Sequence, residues 1–266
     1  MQVSSWHSKP GMRSKARNSL LRCLRNLLGA VILLCAAQAT LAQCGAEAKL
    51  LVSPNSAQTS VSALHAETES QRQIYLFDTD GLEMLLHGVI LRLRTGARGD
   101  LTVKVRSENG NPERTPNEGK DTKCEVDIVG STALSSYSLV RRWKQESIPR
   151  TGEALYAALN TAQQRLLART GISIDWRRVK QIARVQTTEW RVRGDGSLKD
   201  ISIELWQWPS GTVLELSAKT ETPESGRYTL DLLRRMALAS GLTIEKDQEA
   251  KTSIVLHAAT ASARHE

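Results

Sequence analysis

The sequence predicts an α+β fold in which an antiparallel β-barrel, or tunnel, has a charged interior and carries helices packed on its outside. Three observations lead to this fold class. Several short segments alternate charged and apolar residues, as strands with two different faces do. This pattern recurs from one segment to the next along the chain. Segments with a helical apolar stripe stand between them, and such helices can cover the apolar face of a closed sheet.

Residues 1–42 predict a secretory signal peptide that is removed from the mature protein. Six basic residues and no acidic residue precede the apolar run 27–37, which is too short to span a bilayer comfortably. The segment Thr40–Ala42 supplies the small residues that a signal peptidase needs, and we expect cleavage at its end. The chain starts at Met1 or at Met12.

Without this leader, residues 43–266 are expected to form a single domain of an exported protein, either periplasmic or secreted. A lipoprotein anchored at Cys44 is disfavoured because Gln43 is large for the position before a lipidated cysteine. Cys44 and Cys124 are the two cysteines outside the leader. In an oxidising compartment such a pair favours a disulfide, and two separate thiols are the alternative.

The charge of the chain belongs mostly to its leader. The whole sequence has 36 Lys and Arg against 28 Asp and Glu, and six of the basic residues lie in the leader, so 30 remain against 28. The composition therefore does not support a nucleic-acid partner. We expect neither nucleic acid nor, after cleavage, a membrane among the partners, and the sequence leaves the oligomeric state undefined.

The first predicted strand, 46–52, places Glu47 and Lys49 on one face and alanines on the other. Residues 54–70 are polar and predict a loop with a possible short helix. Residues 74–106 then predict a strand, a short helix, a strand, a turn and a strand. A capping box of Asp80 and Glu83 would begin the helix, and Gly88 would end it.

The last two strands of that stretch carry only cations on their charged face. Arg92 and Arg94 share a face of the first strand, and Lys104 and Arg106 share a face of the second. Neighbouring like charges across a hairpin repel each other, so four cations side by side indicate a polyanion among them. An ordinary half-exposed sheet with its charges in water is the alternative.

The remaining segments continue the alternation. A strand at 123–130 places Glu125 and Asp127 on one face, after a turn-rich loop at 107–122. A helical pair at 152–171 is predicted to cover the outside of the barrel, with a capping box at Thr161 and Gln164.

The C-terminal part predicts more strands and a closing helix. Residues 179–193 predict one long strand, or two with a bend, and the sequence does not decide which face points inward. Residues 200–220 predict a hairpin that places Glu215, Ser217 and Lys219 on one face, and a helix follows at 225–241.

The segment Phe77–Thr79, the short helix ending near a glycine, Arg92–Arg94 and Thr102–Arg106 together resemble the CYTH superfamily of triphosphate tunnel metalloenzymes. That superfamily includes inorganic triphosphatases, thiamine triphosphatase and class IV adenylyl cyclases. The resemblance implies a single CYTH-like tunnel domain at 43–266 that holds an inorganic or organic triphosphate, or a polyphosphate, and a divalent metal. Lys251 resembles the lysine of the family's terminal segment.

The resemblance also implies roles for individual residues, although no catalytic residue is assigned. The expected phosphate-binding residues are Lys49, Arg92, Arg94, Lys104, Arg106 and Lys219. The expected ligands of Mg²⁺ or Mn²⁺ are Glu47, Glu215, Glu125 and Asp127.

This sequence departs from the family's pattern at its acids and at one basic pair. Gly45 stands where the opening strand of the family has its first glutamate, and Ser217 replaces the partner of Glu215. Gln186 and Thr188 stand where the family has two basic residues. Three functions therefore stay open: a metal-dependent triphosphatase, a secreted anion-binding protein without catalysis, and a barrel whose lysines and glutamates satisfy one another for structure or for a protein partner.

Overall fold

The computed structural model describes residues 44–107, 122–145, 147–193, 198 and 200–262. Nine strands of this part close into a barrel in the order β1-β5-β6-β4-β3-β2-β7-β8-β9. They are β1 Gly45–Val52, β2 Glu67–Asp78, β3 Val89–Arg94, β4 Asp100–Ser107, β5 Thr122–Val129, β6 Thr132–Arg142, β7 Lys180–Val192, β8 Ile201–Trp208 and β9 Gly211–Thr220. The signal peptide and residues 108–121 of the predicted loop lie outside the described residues.

The predicted barrel is confirmed, with one difference in strand direction. Every neighbouring pair is antiparallel except β1 and β5, which run parallel. A ring with an odd number of strands cannot alternate direction all the way round, because the last strand would meet the first with the same direction. A closed barrel of nine strands therefore requires a parallel pair.

Six helices accompany the barrel in the described part of the chain. They are α1 Ala57–Ala63, α2 Glu83–Leu86, α3 Gly152–Ala158, α4 Thr161–Arg169, α5 Pro223–Ala239 and α6 Lys251–Ser262, with a 3-10 turn at Pro54–Ser56. Residues 54–70 were predicted as mostly loop, but β2 already begins at Glu67 because this end of the strand pairs with Arg191 of β7. Among the described helices, none has the length and apolar character needed to cross a bilayer.

Helices α3 and α4 cover the outer apolar face of β3, β4 and β6, as the sequence predicted for this helical pair. Leu155 and Leu166 pack there with strand residues such as Leu101. The buried Gln163 of α4 donates through its amide nitrogen to the carbonyl oxygens of Leu101 and Leu139, at 2.8 and 3.2 Å. Helix and sheet are therefore joined by hydrogen bonds as well as by apolar contact.

Helix α5 covers the outer face of β1, β5 and β9 through buried residues such as Leu230, Leu233 and Ala237. Gly226 of this helix allows close approach to the sheet. A Cβ atom at that position would lie 2.4 Å from the Cδ1 atom of Ile128. The apolar faces of the strands thus point outward and are buried by helices, which leaves the charged faces inside.

The cap of α2 differs from the prediction. The buried carboxylate of Asp78, rather than that of Asp80, holds the start of this helix. It accepts hydrogen bonds from the backbone N–H groups of Thr79, Met84 and Leu85 at 2.7, 3.0 and 2.9 Å. Leu82 at the N-cap has a left-handed φ of 54°, which turns the helix start towards the end of β2. Asp80 instead forms an ion pair with Lys180 at 2.8 Å.

The second predicted capping box is displaced by one residue. Asn160 and Gln163 form it, rather than Thr161 and Gln164, because Asn160 is the last residue with extended backbone before α4. The predicted glycine stop, Gly88, has the expected left-handed φ of 74°, and Gly171 after α4 has one of 70°.

An apolar layer fills one end of the barrel. Seven inward-facing strand residues form it together with residues of α6. The strand residues are Leu51, Ile74, Leu76, Ala183, Val185, Trp206 and Val213. Val255 and Leu256 pack on this layer, so α6 covers that end, and the N-terminal residue of the helix, Lys251, lines the polar part of the interior.

Candidate anion-binding site

The charged faces of the strands meet inside the barrel around two adjoining cavities of about 280 and about 50 Å³. The sequence-predicted residues that line the larger cavity are Glu47, Lys49, Arg92, Arg94, Lys104, Glu125, Glu215 and Lys219. Arg106 and Asp127 line the smaller cavity. The barrel therefore brings all ten predicted phosphate and metal residues to one interior, although it does not bring all four acids together.

The lining of the larger cavity has a surplus of positive charge. Among the described residues, ten cationic side chains face it against six acidic ones, an excess of four charges. The acidic side chains are Glu47, Glu125, Glu189, Asp200, Glu204 and Glu215. Three of these cations, Arg98, Lys123 and Lys219, and the acid Asp200 are exposed to solvent. The surplus of positive charge along the cavity favours a ligand with several negative charges.

Arg92 is the cation with the clearest need for such a ligand. Its guanidinium has no hydrogen bond or ion pair with any described residue, and its buried Nε is unsatisfied. Burial, together with the nearby charge of Arg94, lowers the pKa of Arg92 to about 10. Arg94 has an ion-pair partner, because its Nε lies 2.8 Å from the carboxylate of Asp100, although this contact lacks the geometry of a hydrogen bond.

Asp127 forms ion pairs with three of the predicted phosphate-binding cations. Its carboxylate lies 2.7 Å from Lys49, 2.8 Å from Lys104 and 3.4 Å from Arg106. Burial alone would raise the pKa of Asp127, but these three cations hold it well below its usual range. Burial lowers the pKa of Lys104 to about 8, since the attraction of Asp127 is offset by the nearby Lys49 and Arg106.

Three of the four predicted metal ligands lie together. Oxygens of Glu47, Glu125 and Asp127 fall within 4.8 Å of one another, a donor set of the kind that hard divalent cations prefer. The ammonium of Lys49 is already among them, 3.0 Å from Glu47 and 2.7 Å from Asp127. Ser217 donates to the other oxygen of Glu47 at 3.1 Å. A metal ion bonded to these oxygens would have to displace the ammonium, so the donor set as arranged does not fit one.

The fourth predicted ligand, Glu215, lies apart from this acidic cluster. Its Oε1 is 2.7 Å from the ammonium of Lys251, which also contacts Glu204. The Oε2 atom of Glu215 is buried and has no hydrogen-bond partner in the described part of the chain. Burial raises the pKa of Glu215. Burial also acts on Glu204, but the charge of Lys251 together with the hydrogen bonds from Lys251 and Trp206 lowers its pKa to about 2.

Comparison with known proteins gives a match for the fold. No family model and no curated protein matches the sequence. Among solved structures, a candidate adenylyl cyclase from Hippeastrum that reveals a dominant triphosphatase activity superposes with a TM-score of 0.54 at 17% identity, covering 79% of this chain and 93% of that one. A candidate adenylate cyclase from Bacillus halodurans gives 0.52 at 16%, covering 79% and 96%. The chain has the CYTH fold.

The structure shows which face of β7 points into the barrel, a question that the sequence left open. The strand is continuous, and Thr187, Glu189 and Arg191 face the cavity. Glu189 accepts hydrogen bonds from Arg191 at 2.7 Å and from Ser202 at 3.1 Å, and it also pairs with Arg72. Arg191 therefore adds a cation to the interior, where Gln186 and Thr188 do not reach.

Several residues of the CYTH interior were missing from the set predicted by sequence. They are Arg72, Asp100, Glu189, Arg191 and Glu204, whereas Lys251 was already matched to the family's terminal lysine but had no assigned role in the site. The hairpin of β8 and β9 contained one signal, because Glu204 pairs directly with Glu215. Two acids opposite each other in a hairpin require a cation between them, and Lys251 supplies it.

The predicted disulfide between Cys44 and Cys124 is confirmed, with a Cα–Cα distance of 4.9 Å. It joins the start of β1 to β5, next to the parallel pair that closes the CYTH barrel. In the pairing that follows, Glu47 lies opposite Asp127. The disulfide therefore fixes the two strands that carry the acidic cluster.

Proposed function

We propose that the interior of the barrel binds an inorganic or organic triphosphate, or the end of a short polyphosphate. One observation supports this above the others: the half-buried Arg92, whose Nε is buried and unsatisfied, lies in a cavity with four surplus positive charges and has no partner among the described residues. A guanidinium in this position can bind two oxygens of a phosphate through two parallel hydrogen bonds.

The cations of the cavity would contribute unequally to such a ligand. Arg92 can bind it without losing any existing contact, and Arg94 can share its guanidinium between the ligand and Asp100. Lys104 and Arg106 are engaged by Asp127 and would divide their hydrogen bonds between that carboxylate and the ligand. Lys219 is exposed and lines the same cavity, where it can attract the incoming anion.

Calorimetric titration of the mature protein with tripolyphosphate tests this function. We expect saturable binding, and we expect Arg92→Gln to weaken it by roughly tenfold to a hundredfold, the usual contribution of hydrogen bonds to a charged group. The control is Arg235→Gln, which makes the same change at an exposed position of α5 and should leave the affinity unchanged. If neither tripolyphosphate nor longer chains bind, or if both variants weaken binding equally, this function is wrong.

The second candidate is a phosphohydrolase that depends on Mg²⁺ or Mn²⁺, as the resemblance implied. It is favoured by the spacing of Glu47, Glu125 and Asp127 and by the triphosphatase activity described for the structural neighbour from Hippeastrum. It is disfavoured by the ammonium of Lys49, which pairs with two of those acids. Binding without hydrolysis is therefore the form that we propose.

Phosphate release separates the two candidates. Wild-type protein is incubated with tripolyphosphate and either Mg²⁺ or Mn²⁺, and we expect release no faster than in the absence of protein. Release that requires the metal and is abolished by Glu47→Gln would establish the hydrolase instead. Arg235→Gln serves again as the matched control, because its change of charge lies outside the cavity.

Export of the protein belongs to the same proposal. The leader pattern at 1–42 and the disulfide between Cys44 and Cys124 support it, because disulfides persist in oxidising compartments. Expression of the full chain followed by N-terminal sequencing of the mature product should give a single domain that begins near Gln43. A product that keeps its leader in the cytoplasm would contradict it.

A further inference from the structure

We infer that Lys49 and Lys251 act as built-in cations between pairs of acids inside the barrel, so that the cavity binds its anion without a divalent metal. This inference rests on the proposed anion binding and specifies how the site is neutralised. It assigns to two side chains the position that a metal ion would otherwise take.

The first of these arrangements lies at the pair of β1 and β5. The ammonium of Lys49 is 3.0 Å from Glu47 and 2.7 Å from Asp127, two acids that stand opposite each other across the strands. Its side chain is 13% exposed, and that of Asp127 is 1% exposed. Two carboxylates this close keep the ammonium in place, because moving it away from them would leave its charge uncompensated inside the barrel.

The second arrangement repeats the first at the neighbouring pair of strands, because β9, which carries Glu215, pairs with both β1 and β8. Lys251 pairs with Glu204 and lies 2.7 Å from Glu215, and these two acids again stand opposite each other across neighbouring strands. Its ammonium also lies 4.9 Å from the centre of the Trp206 ring, whose Nε1 donates to Glu204 at 3.0 Å. Two acid pairs are thus each bridged by one lysine, one on a strand and one on α6.

The charge of the cavity agrees with this arrangement. With both lysines in place, the larger cavity already has four positive charges in excess among its described residues. A divalent cation would increase that excess, and it could bind Glu47 and Asp127 only by displacing Lys49 into the same cationic space. The anion therefore finds its neutralising charge in side chains that are already present.

Binding of Mn²⁺, measured by electron paramagnetic resonance without any phosphate, tests the role of Lys49 directly. We expect no saturable binding by the wild type and a gain of at least about tenfold in affinity for Lys49→Met, which removes the ammonium between Glu47 and Asp127 while Lys104 and Arg106 remain on Asp127. The matched control is Lys123→Met, which removes a cation of the same cavity that does not bridge two acids. Tight binding by the wild type, or equal gains in both variants, would overturn the inference.

Lys251→Met provides a second test should Lys49→Met not fold, as judged by its circular dichroism. We expect it to gain Mn²⁺ binding at Glu204 and Glu215 in the same assay. Absence of any gain in a folded variant of either lysine counts against the inference, because an acid pair that has lost its cation should accept another.

Titration of wild-type protein with tripolyphosphate in chelator and in Mg²⁺ separates this inference from the function on which it rests. Because Mg²⁺ itself binds tripolyphosphate in solution, we expect binding in chelator to be at least as tight as in Mg²⁺. Binding only in Mg²⁺ would overturn the inference and leave anion binding intact. No binding in either buffer would overturn the proposed function, and the Mn²⁺ measurement would then decide the role of the two lysines by itself.

Discussion

Lys104 and Lys49 show how two lysines on the same carboxylate can differ. Both contact Asp127, but Lys49 has Glu47 as a second close partner and Lys104 does not. Although both are desolvated, the acids around Lys49 raise its pKa well above the usual value, whereas burial lowers the pKa of Lys104 to about 8. One lysine is therefore a permanent cation, and the other can lose its proton in mildly alkaline solution.

We predict from this difference that tripolyphosphate binding weakens as the pH rises through about 8. The anion attracts the protonated form of Lys104, so near this pH each binding event should take up protons. Calorimetry in two buffers of different ionisation enthalpy measures that uptake. Lys104→Met should remove most of it, and an uptake that is absent in the wild type or unchanged in the variant would refute the assignment.

At the scale of elements, the short helix α2 depends on one carboxylate. Asp78 ends β2 and accepts three backbone hydrogen bonds around the start of α2, so it joins the strand to the helix before β3 begins. Asp80 is exposed, and its contact with Lys180 lies at the surface. The two aspartates are two residues apart and have different structural importance.

We predict that Asp78→Ala lowers the free energy of unfolding by about 3 kcal/mol, because it leaves buried N–H groups without an acceptor. Asp80→Ala should change it by less than about 1 kcal/mol, since exposed ion pairs contribute little. Chemical denaturation of both variants provides the comparison. Equal losses would show that Asp80 caps the helix after all, as the sequence pattern suggested.

At the scale of the whole molecule, the closure of the barrel depends on the pair of β1 and β5. These strands are distant in the sequence, and the disulfide between Cys44 and Cys124 spans 80 residues. Parallel pairing occurs here because nine strands cannot alternate direction around a ring. The same pair carries Glu47 and Asp127, so the strand pairing that closes the barrel also brings these two acids together.

We predict that reduction of the disulfide lowers the free energy of unfolding by about 4 kcal/mol, the value expected from the chain entropy of a loop of this length. Thermal or chemical unfolding with and without a reductant measures this loss. The double variant Cys44→Ala, Cys124→Ala should have the lower stability of the reduced wild type both with and without the reductant. A wild type that is insensitive to reductant, or a double variant that remains sensitive, would contradict the prediction.

Several features of the molecule could be predicted from local sequence because their physical causes are local. Alternation with a period of two assigns Arg92 and Arg94 to one face of a strand whatever its neighbours are. Gly88 and Gly171 end helices through a backbone conformation that glycine adopts readily. The helix caps differ from the prediction because two nearby polar residues could each cap the helix, Asp78 or Asp80 at α2 and Asn160 or Thr161 at α4. The packing of α2 and α4 determines which of the two lies at the helix start.

By itself, the sequence indicated strands with a basic face, helices that cover a closed sheet and a disulfide between Cys44 and Cys124. The tertiary structure alone decided which acid meets which cation. Lys49 reaches Asp127, and Lys251 reaches Glu204 and Glu215, only because a closed ring makes neighbours of strands and a helix that are distant in the chain. Electrostatic pairing acts over a few ångströms of space, whereas sequence patterns record only separation along the chain.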